Sequence, residues 1–301
     1  METLRIYGRF GLMILALSPY WAAQDVKRPP IVGVAHIGLE VSDLAKARAF
    51  YGEFLGFEEP FQVFKDDRSL LLTYFKVNDR QYIEIFPGLA PEKDDRLSHI
   101  ALETTDLEGL RLYLKEKGIR VPEKVTQGRD GNSNFNVTDP DGHRVEFVRY
   151  QASSLHTRAT GRYMSARRIS ERMLHVGVTV ADAAAADMFY KDILGFSEIW
   201  RGGTTDAATS WINMKVPDGT DYVEYMLVSS KVDRRRLGVL HHLALQVPDI
   251  QQALEILRGR SSLQNPASIP SPQIGRNNRW QLNLYDSDGS RTELMEPYTA
   301  K

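Results

Sequence analysis

The apolar and polar positions of this chain follow one pattern four times. Each repeat begins with an alternating, strand-like stretch that contains a histidine: VAHIGLEV at 34–41, LSHIALET at 97–104, MLHVGVTV at 173–180 and LHHLALQV at 240–247. Apolar residues at helical spacing come next, and β-branched and aromatic runs follow them. Each repeat therefore predicts a strand, a helix and three further strands.

Helix starts and turns can be located in the same repeats. Seven residues after each histidine stands an aspartate, which we predict to be an N-cap that accepts from free amides of the first helical turn. Gly56 ends the first helix, and DPDG at 139–142, VPDG at 216–219 and SDG at 287–289 mark turns between strands. The four aspartates are Asp43, Asp106, Asp182 and Asp249.

These patterns predict an α+β fold of four βαβββ modules in two double-module domains. The polar, basic segment 151–172 has no strong apolar period and is predicted to link the domains. Its length allows two arrangements: modules one and two share a site, or modules swap so that one pairs with four and two with three. The predicted units are domain 31–150, with modules 31–90 and 95–150, and domain 173–298, with modules 173–230 and 238–298.

The first strand of each module has two different faces, because side chains alternate along a strand. In the first module His36, Gly38 and Glu40 share one face, and the opposite face is aliphatic. The aliphatic face is typical of packing against helices. The other face is typical of a cavity wall, where the small residue leaves room beside the imidazole.

A glutamate lies on a later strand of every module, in YIEIF, RVEFV, YVEYM and RTELM. Each half of the chain thus supplies two imidazoles and two carboxylates, a donor set that suits a divalent transition metal such as Ni, Co, Zn, Mn or Fe. Without a metal, two inward carboxylates would repel each other. The predicted ligands are His36, Glu84, His99 and Glu146 in the first half, and His175, Glu224, His242 and Glu293 in the second.

Three histidines stand outside this pattern. His156 lies in the polar linker and is predicted to be a solvated surface residue. His143 follows a turn glycine, and His241 precedes His242 on the opposite strand face, so we interpret both as structural.

Composition narrows the class of function. The 301 residues carry a formal net charge of −1, which favours neither nucleic acid nor an anionic membrane as a partner. The chain has no cysteine, which excludes disulfides, thiol nucleophiles, cysteine zinc sites and a lipidated cysteine anchor. We expect a small-molecule partner, and the composition indicates no oligomeric state.

The N-terminal 30 residues have a different character. Arg5 and Arg9 precede the apolar run 10–17, and Ser18, Pro19 and small residues follow. This order is typical of a secretory signal peptide, and the run is too short to span a bilayer. We therefore predict a signal peptide and leader at 1–30 and export of the mature protein. An apolar tail on a cytoplasmic protein is the alternative.

The repeats resemble the vicinal oxygen chelate superfamily, which includes glyoxalase I, extradiol dioxygenases and bleomycin-resistance proteins. The resemblance covers roughly residues 31–298 and rests on HIGLEVSDLAKARAFYGEFLGF, HIALETTDLEGL, DPDGHRVEF and HVGVTVADAAAADMFYKDILGF. In that family, paired βαβββ modules form a curved mixed sheet that cups a metal. The resemblance implies that ligands come from the first and last strands of the modules.

The four-ligand pattern is most similar to the glyoxalase I branch. There a metal holds two substrate oxygens and stabilises a developing enediolate, while a glutamate moves a proton on the carbon beside a carbonyl. By this resemblance Glu146 and Glu293 are the expected catalytic bases as well as ligands. A metal-dependent lyase or isomerase acting on a small carbonyl substrate is the implied function.

The chain departs from glutathione-dependent glyoxalase I at one position. That enzyme has an arginine four residues after the first histidine, which helps to hold the glutathione moiety. Glu40 and Thr179 occupy the position here. An acidic residue would repel a glutathione carboxylate, so we expect a different substrate.

Two alternatives stay open. An Fe(II) extradiol dioxygenase would use two histidines and one carboxylate, here His175, His242 and Glu293. The dioxygenase signature tyrosine is replaced by Asn283, or by Asn136 in the first half, and residues 273–280 contain no histidine. A metal-free binding protein of the bleomycin-resistance type would not need eight potential ligands.

Overall fold

A computed structural model of the protein describes residues 27–90, 95–229, 237–260 and 269–300. Within these residues, sixteen strands form two eight-stranded mixed sheets, with helices packed on them. The α+β fold of two double-module domains is thereby confirmed. The predicted signal segment lies outside the described residues, except for its last four positions.

The first sheet contains β1–β8 in the order β2-β3-β4-β1-β5-β8-β7-β6. Its helices are α1, which continues as a π-helical turn, and α2. The bounds are β1 Ile31–Val41, α1 Leu44–Ala47 with the π turn Arg48–Phe54, β2 Gln62–Phe64, β3 Leu70–Lys76, β4 Tyr82–Pro87, β5 Leu97–Thr104, α2 Leu107–Glu116, β6 Thr126–Gln127, β7 Ser133–Thr138 and β8 Arg144–Arg149.

The second sheet repeats this order as β10-β11-β12-β9-β13-β16-β15-β14. The short helix α3, Leu155–Arg158, lies between the two sheets in sequence. The remaining bounds are β9 Met173–Val180, α4 Ala183–Ala186 with the π turn Asp187–Ile193, β10 Ser197–Gly202, β11 Trp211–Lys215, β12 Tyr222–Leu227, α5 Leu237–Leu240, β13 His242–Gln246, α6 Ile250–Gly259, β14 Gln273–Ile274, β15 Trp280–Tyr285 and β16 Arg291–Met295.

The strand order shows which modules share a sheet. β1 pairs antiparallel with β5, and β9 pairs antiparallel with β13. Modules one and two therefore form the first sheet, and modules three and four the second. Within each module the last long strand runs parallel to the first, as in the β1–β4 and β5–β8 pairs.

The helices begin where the sequence predicts. Each of the four predicted aspartates accepts a hydrogen bond from a backbone amide of the first turn, as Asp43 does from Ala45 N at 2.9 Å. The continuation of α1 differs from a regular helix, because Leu55 N donates to Phe50 O five residues back, at 2.9 Å. This wider turn buries Phe50, Tyr51 and Leu55 together against the sheet. Gly56 ends it with a φ of 82°.

Turn aspartates join the two domains. Tyr51 Oη donates to Asp286 Oδ2 at 3.0 Å, and Tyr190 Oη donates to Asp139 Oδ2 at 3.0 Å. The aspartates belong to modules four and two, and the tyrosines to modules one and three. Although the sheets form within each half, module one thus contacts module four, and module two contacts module three.

The linker contains the one histidine whose predicted environment is wrong. His156 is only 2% exposed, on the short helix α3. Its ring stacks on Tyr150 at 5.1 Å between centroids and meets Tyr82 edge-on at 4.4 Å. Tyr82 and Tyr74, which are distant in sequence, help to cover this ring, so the composition of the linker did not indicate burial. None of the helices in the described ranges has the length and apolar character needed to cross a bilayer.

Candidate metal centres

Four adjacent central strands bring the predicted residues of the first half together. In the sheet register, Gly38 lies between Glu84 and His99, and Ala101 lies between His36 and Glu146. All four polar side chains therefore project from one patch of one sheet face. The second half repeats this arrangement, with Gly177 between Glu224 and His242, and Ala244 between His175 and Glu293.

The glycines are required by the histidines beside them. A Cβ atom at Gly38 would lie 2.5 Å from Cε1 of His99, and one at Gly177 would lie closer still to Cε1 of His242. The room that the sequence predicts beside each first histidine is thus filled by the imidazole of the neighbouring strand.

The first centre consists of His36, Glu84, His99 and Glu146. The two Nε2 atoms of the histidines are 3.0 Å apart. Glu84 places carboxylate oxygens 3.3 Å from Nε2 of His36 and 3.4 Å from Nε2 of His99. Glu146 places them at 4.0 and 3.6 Å from the same two atoms. Both carboxylates therefore face both imidazole nitrogens.

The second centre has nearly the same dimensions. Nε2 of His175 and Nε2 of His242 are again 3.0 Å apart. Glu224 lies 3.8 Å from the first nitrogen and 3.3 Å from the second. Glu293 lies 3.6 and 3.7 Å from them. The structure thus brings together all eight residues that the sequence singled out, as two separate groups of four.

This geometry fits a divalent transition metal. Two metal–nitrogen bonds of about 2.1 Å that meet at roughly a right angle separate the nitrogens by about 3.0 Å, as found here. The rings of His36 and His99 stand at 88°, and those of His175 and His242 at 87°. Imidazole and carboxylate donors suit Ni, Co, Zn, Mn and Fe alike, so the donor set does not choose among these metals.

Burial keeps the imidazoles neutral. Desolvation lowers the pKa of His36 to about 4, and that of His99 and His175 to about 3. The pKa of His242 is also well below its ordinary value, mainly through burial. At neutral pH the rings are uncharged, which is the form that binds a metal.

Burial acts on the glutamates in the opposite direction. Desolvation, reinforced by the charge of Glu84, holds the pKa of Glu146 well above its ordinary range. Desolvation also raises the pKa of Glu84, against the attraction of His36. The pKa of Glu293 is raised to about 7 by burial. These carboxyl groups resist ionisation unless a cation compensates for the negative charge. A pKa near neutrality, as at Glu293, is a property of a general base.

Each centre opens into a cavity. The first cavity, of about 280 Å³, is lined by Tyr74 and Phe86 among other residues, and the second, of about 290 Å³, by Trp200 and Trp211. Each is also lined by two arginines that sequence reasoning missed, and one of each pair lies on the last strand of a module: Arg144 in the first and Arg291 in the second. Both of these last-strand arginines stand two residues before the last-strand glutamate, so each lies on the same strand face as that glutamate. The shared position in the two repeats is the signal from which the sequence could have predicted them.

The two histidines interpreted as structural meet at the domain junction. His143 Nε2 and His241 Nε2 lie 3.2 and 3.0 Å from the hydroxyl of Thr179. The Nδ1 atom of His143 donates to Asp139 at 2.9 Å, and that of His241 donates to Asp95 at 2.7 Å. This network joins module two to modules three and four.

Comparison with known proteins places the fold in a family. The family model of the Glyoxalase/Bleomycin resistance protein/Dioxygenase superfamily matches residues 33–147 and 172–294. The chain is 30% identical over 115 residues to the uncharacterized protein YwkD of Bacillus subtilis, which covers 36% of this chain and 89% of that relative. It is 28% identical over 123 residues to the uncharacterized protein YaeR of Escherichia coli, which covers 38% and 92%.

Two kinds of solved structure share this fold over most of the chain. A variant of homoprotocatechuate 2,3-dioxygenase from Brevibacterium fuscum superimposes with a TM-score of 0.66 at 20% identity, over 90% of this chain and 72% of that one. The Mn(II)-bound glyoxalase from Novosphingobium aromaticivorans superimposes with a TM-score of 0.66 at 16% identity, over 89% and 83%. At these identities the likeness is one of fold.

Proposed function

Because the chain belongs to the Glyoxalase/Bleomycin resistance protein/Dioxygenase superfamily, we propose that it is a divalent-metal-dependent enzyme of the glyoxalase type. It transfers a proton to or from the carbon next to a carbonyl group. The substrate is a small molecule with oxygens on neighbouring carbons. One observation carries the proposal: in each half, two glutamates approach the same pair of imidazole nitrogens.

Each set of four would hold one metal ion. A bound metal would polarise the substrate carbonyl and stabilise the negative charge that develops on its oxygen. The histidines hold their position through the close fit against Gly38 and Gly177. The cavity beside each set admits a small molecule and not a macromolecule, in line with the small-molecule partner expected from composition.

The last-strand glutamates are the proposed bases. Glu146 and Glu293 have raised pKa values because they are buried, which makes each carboxylate a stronger proton acceptor than one in water. In the second half, Glu293 has a pKa of about 7, which matches this task most closely.

A substrate without glutathione is supported by the environment of Thr179. Its hydroxyl contacts His143 and His241 at the domain junction and is therefore not directed to a substrate. A neutral side chain with these partners does not replace the arginine that a glutathione carboxylate would need.

An Fe(II) extradiol dioxygenase is the second candidate. His36, His99 and Glu146 place one donor atom each within 4.8 Å of one another, the two-histidine, one-carboxylate set that such iron enzymes use. Asn136 and Asn283, at the place of the family's tyrosine, lie opposite the last-strand glutamates in the sheet register. Glu84 and Glu224 add a fourth donor in each half, and this favours the glyoxalase type.

The test is metal content followed by two activity assays. Protein purified without chelator should contain about one or two equivalents of metal per chain, and the double variant H99A/H242A should lose them. The matched control R129Q/R276Q changes two cavity residues that pair with Asp66 and Asp206, away from the ligands, and should keep its metal.

The assays separate the candidates. Isomerisation of dicarbonyl compounds without oxygen uptake would support the proposal. Iron content together with oxygen-dependent cleavage of catechols would replace it by the dioxygenase. Failure to bind metal even after reconstitution would overturn both and leave a metal-free binding protein.

Export is a further part of the proposal. Arg5, Arg9 and the apolar run 10–17 support it. Intact-mass measurement of protein recovered from the producing cell should give a chain that lacks the leader. A full-length mass would contradict export and leave a cytoplasmic protein.

A further inference from the structure

Each centre contains an arginine in contact with a predicted ligand. Arg144 Nη2 lies 2.7 Å from Nδ1 of His99, and Arg291 Nη2 lies 2.7 Å from Nδ1 of His242. In both cases the contacted atom is on the side of the ring opposite Nε2, which faces the other ligands.

This contact and metal binding place contradictory demands on the imidazole. A guanidinium group only donates hydrogen bonds, so Nδ1 must accept and the proton of the neutral ring must sit on Nε2. Metal binding through Nε2 requires the lone pair there and places the proton on Nδ1. In that tautomer two N–H groups would point at each other, and the arginine contact is lost.

The metal-binding tautomer already has acceptors of its own. Nδ1 of His242 lies 2.8 Å from the carbonyl oxygen of Leu240, and Nδ1 of His99 lies 3.4 Å from the hydroxyl of Ser98. A ring whose Nδ1 carries the proton can therefore donate to these oxygens once the arginine has moved. The two arrangements differ by one proton position and one arginine contact.

From this geometry we infer that Arg144 and Arg291 bind an anionic oxygen of the substrate, a carboxylate, and that they leave the histidines when the Nε2 atoms bind metal. The inference rests on the proposed function, since it assumes metal at these centres. A released guanidinium needs a new acceptor, and both arginines line the substrate cavities. A carboxylate matches its planar fork with two parallel hydrogen bonds.

The second centre has an additional donor available. Nε of Arg291 is buried and has no hydrogen-bond partner. Unsatisfied buried donors are costly, so an arriving carboxylate would gain an interaction that the histidine contact leaves unused. The substrate class is therefore a small carbonyl compound with a carboxylate group.

The two centres should differ in how strongly the arginine opposes metal binding. The backbone carbonyl of Leu240 competes well with Arg291 for Nδ1 of His242, whereas Ser98 is a distant acceptor for His99. Arg144 should therefore oppose metal binding more strongly than Arg291. Without an anion, the second centre is expected to bind metal more tightly.

Imidazole nitrogen NMR tests the tautomers directly. In metal-free wild-type protein, His99 should carry its proton on Nε2, and addition of Zn²⁺ should move it to Nδ1. The metal-free R144Q variant should lose the preference for Nε2. A proton on Nδ1 of His99 in the metal-free wild type would overturn the inference.

Zn²⁺ affinity tests the consequence at the first centre, isolated in a H242A background. R144Q should bind Zn²⁺ about tenfold more tightly than the parent, because a charge-assisted hydrogen bond no longer opposes the metal. Pyruvate, which carries a carbonyl beside a carboxylate, should tighten Zn²⁺ binding by the parent and not by R144Q, since the coupling is reciprocal.

The matched control is R129Q. Arg129 lines the same cavity, but it pairs with Asp66 and not with a histidine. An equal gain in R129Q would assign the effect to cavity charge and overturn the inference. Unchanged affinity in R144Q, or no pyruvate effect in the parent, would overturn it while leaving the metal centre intact. Absence of Zn²⁺ binding in every protein, including the wild type, would overturn the proposed function itself.

Discussion

The two centres have the same candidate ligands, two histidines and two glutamates, but different walls. Opposite the first glutamate in the sheet register stands Tyr74 in the first centre and Asn213 in the second. Two residues after that glutamate, on its own strand, the first centre has Phe86 and the second has Met226. The second cavity adds Trp200 to its wall. From nearly equal distances and unequal walls we propose that the two centres bind metal alike and accept differently shaped small molecules.

The surroundings of the first histidines differ as well. In the second centre, Tyr222 stacks on His175 at 4.5 Å between ring centroids. In the first, the corresponding Tyr82 contacts His156 from the linker instead. His156 of the segment between the domains thus lies beside the first centre, and its charge acts on His36, so the halves are not interchangeable copies.

The largest expected effect comes from removing one ligand. H99A should empty only the first centre, and H242A only the second, because each centre draws its ligands from one sheet. Loss of a ligand should lower the metal affinity by more than the roughly 10- to 100-fold that is typical when a hydrogen-bond partner of a ligand is removed. Metal titration of the two single variants measures this. Loss of both equivalents in either variant would break the comparison by showing that the centres depend on each other.

The next-largest effect is a steric clash with a histidine, which should be more severe in the second centre than in the first. G177A places a methyl group against His242, and G38A places one against His99, where the contact is less severe. Overpacking typically costs about 1–3 kcal/mol, and G177A should lie at the upper end. Both variants should lose metal affinity at their own centre, with the greater loss in G177A. Urea unfolding and metal titration give the two readouts, and equal effects would contradict the geometry.

A hydroxyl beside the first glutamate is a smaller difference between the centres. A hydrogen bond from Tyr74 favours the ionised form of Glu84, against the desolvation that raises the pKa of this carboxyl. Y74F should therefore raise that pKa further and weaken metal binding at the first centre several-fold below neutral pH. Y82F is the control, because the Tyr82 hydroxyl is buried without a partner and its removal should be neutral. Equal weakening in both variants would exclude the role of the hydroxyl.

The sequence predicts the fold and the ligand groups because both depend on local periodicity. A histidine on a first strand and a glutamate on a last strand share a face wherever the module order holds, so both groups of four follow from the repeat. The burial of His156 does not follow from any local pattern, since Tyr74 and Tyr82 contact its ring from distant positions in the sequence. The contacts of Arg144 and Arg291 with the histidines depend on how far each arginine reaches toward the neighbouring strand, which the repeat pattern does not predict. The turn signals predict turns but not that Asp139 and Asp286 bind tyrosines of the other domain.

The two domain junctions differ at the position four residues after the turn aspartate, which is titratable in only one of them. At the junction of modules two and three, His143 donates to Asp139, while Ser290 takes the corresponding place at the other junction. Burial lowers the pKa of His143, but the hydrogen bond to Asp139 and the charges of Asp139, Asp141 and Asp95 outweigh it, and the net pKa is raised.

The smallest predicted effect follows from this difference. Because the folded pKa lies above the unfolded value of about 6.5, the protonated histidine stabilises the fold fully below that value. The contribution is lost as the pH rises through the raised pKa. H143S, which copies the other junction, should lower the free energy of unfolding by about 1 kcal/mol at acidic pH and by less at alkaline pH. S290A should show no such pH dependence, because its hydroxyl is buried without a partner. Urea unfolding at both pH values measures the difference, and a loss in H143S that grows with pH would show that neutral His143 provides the contact.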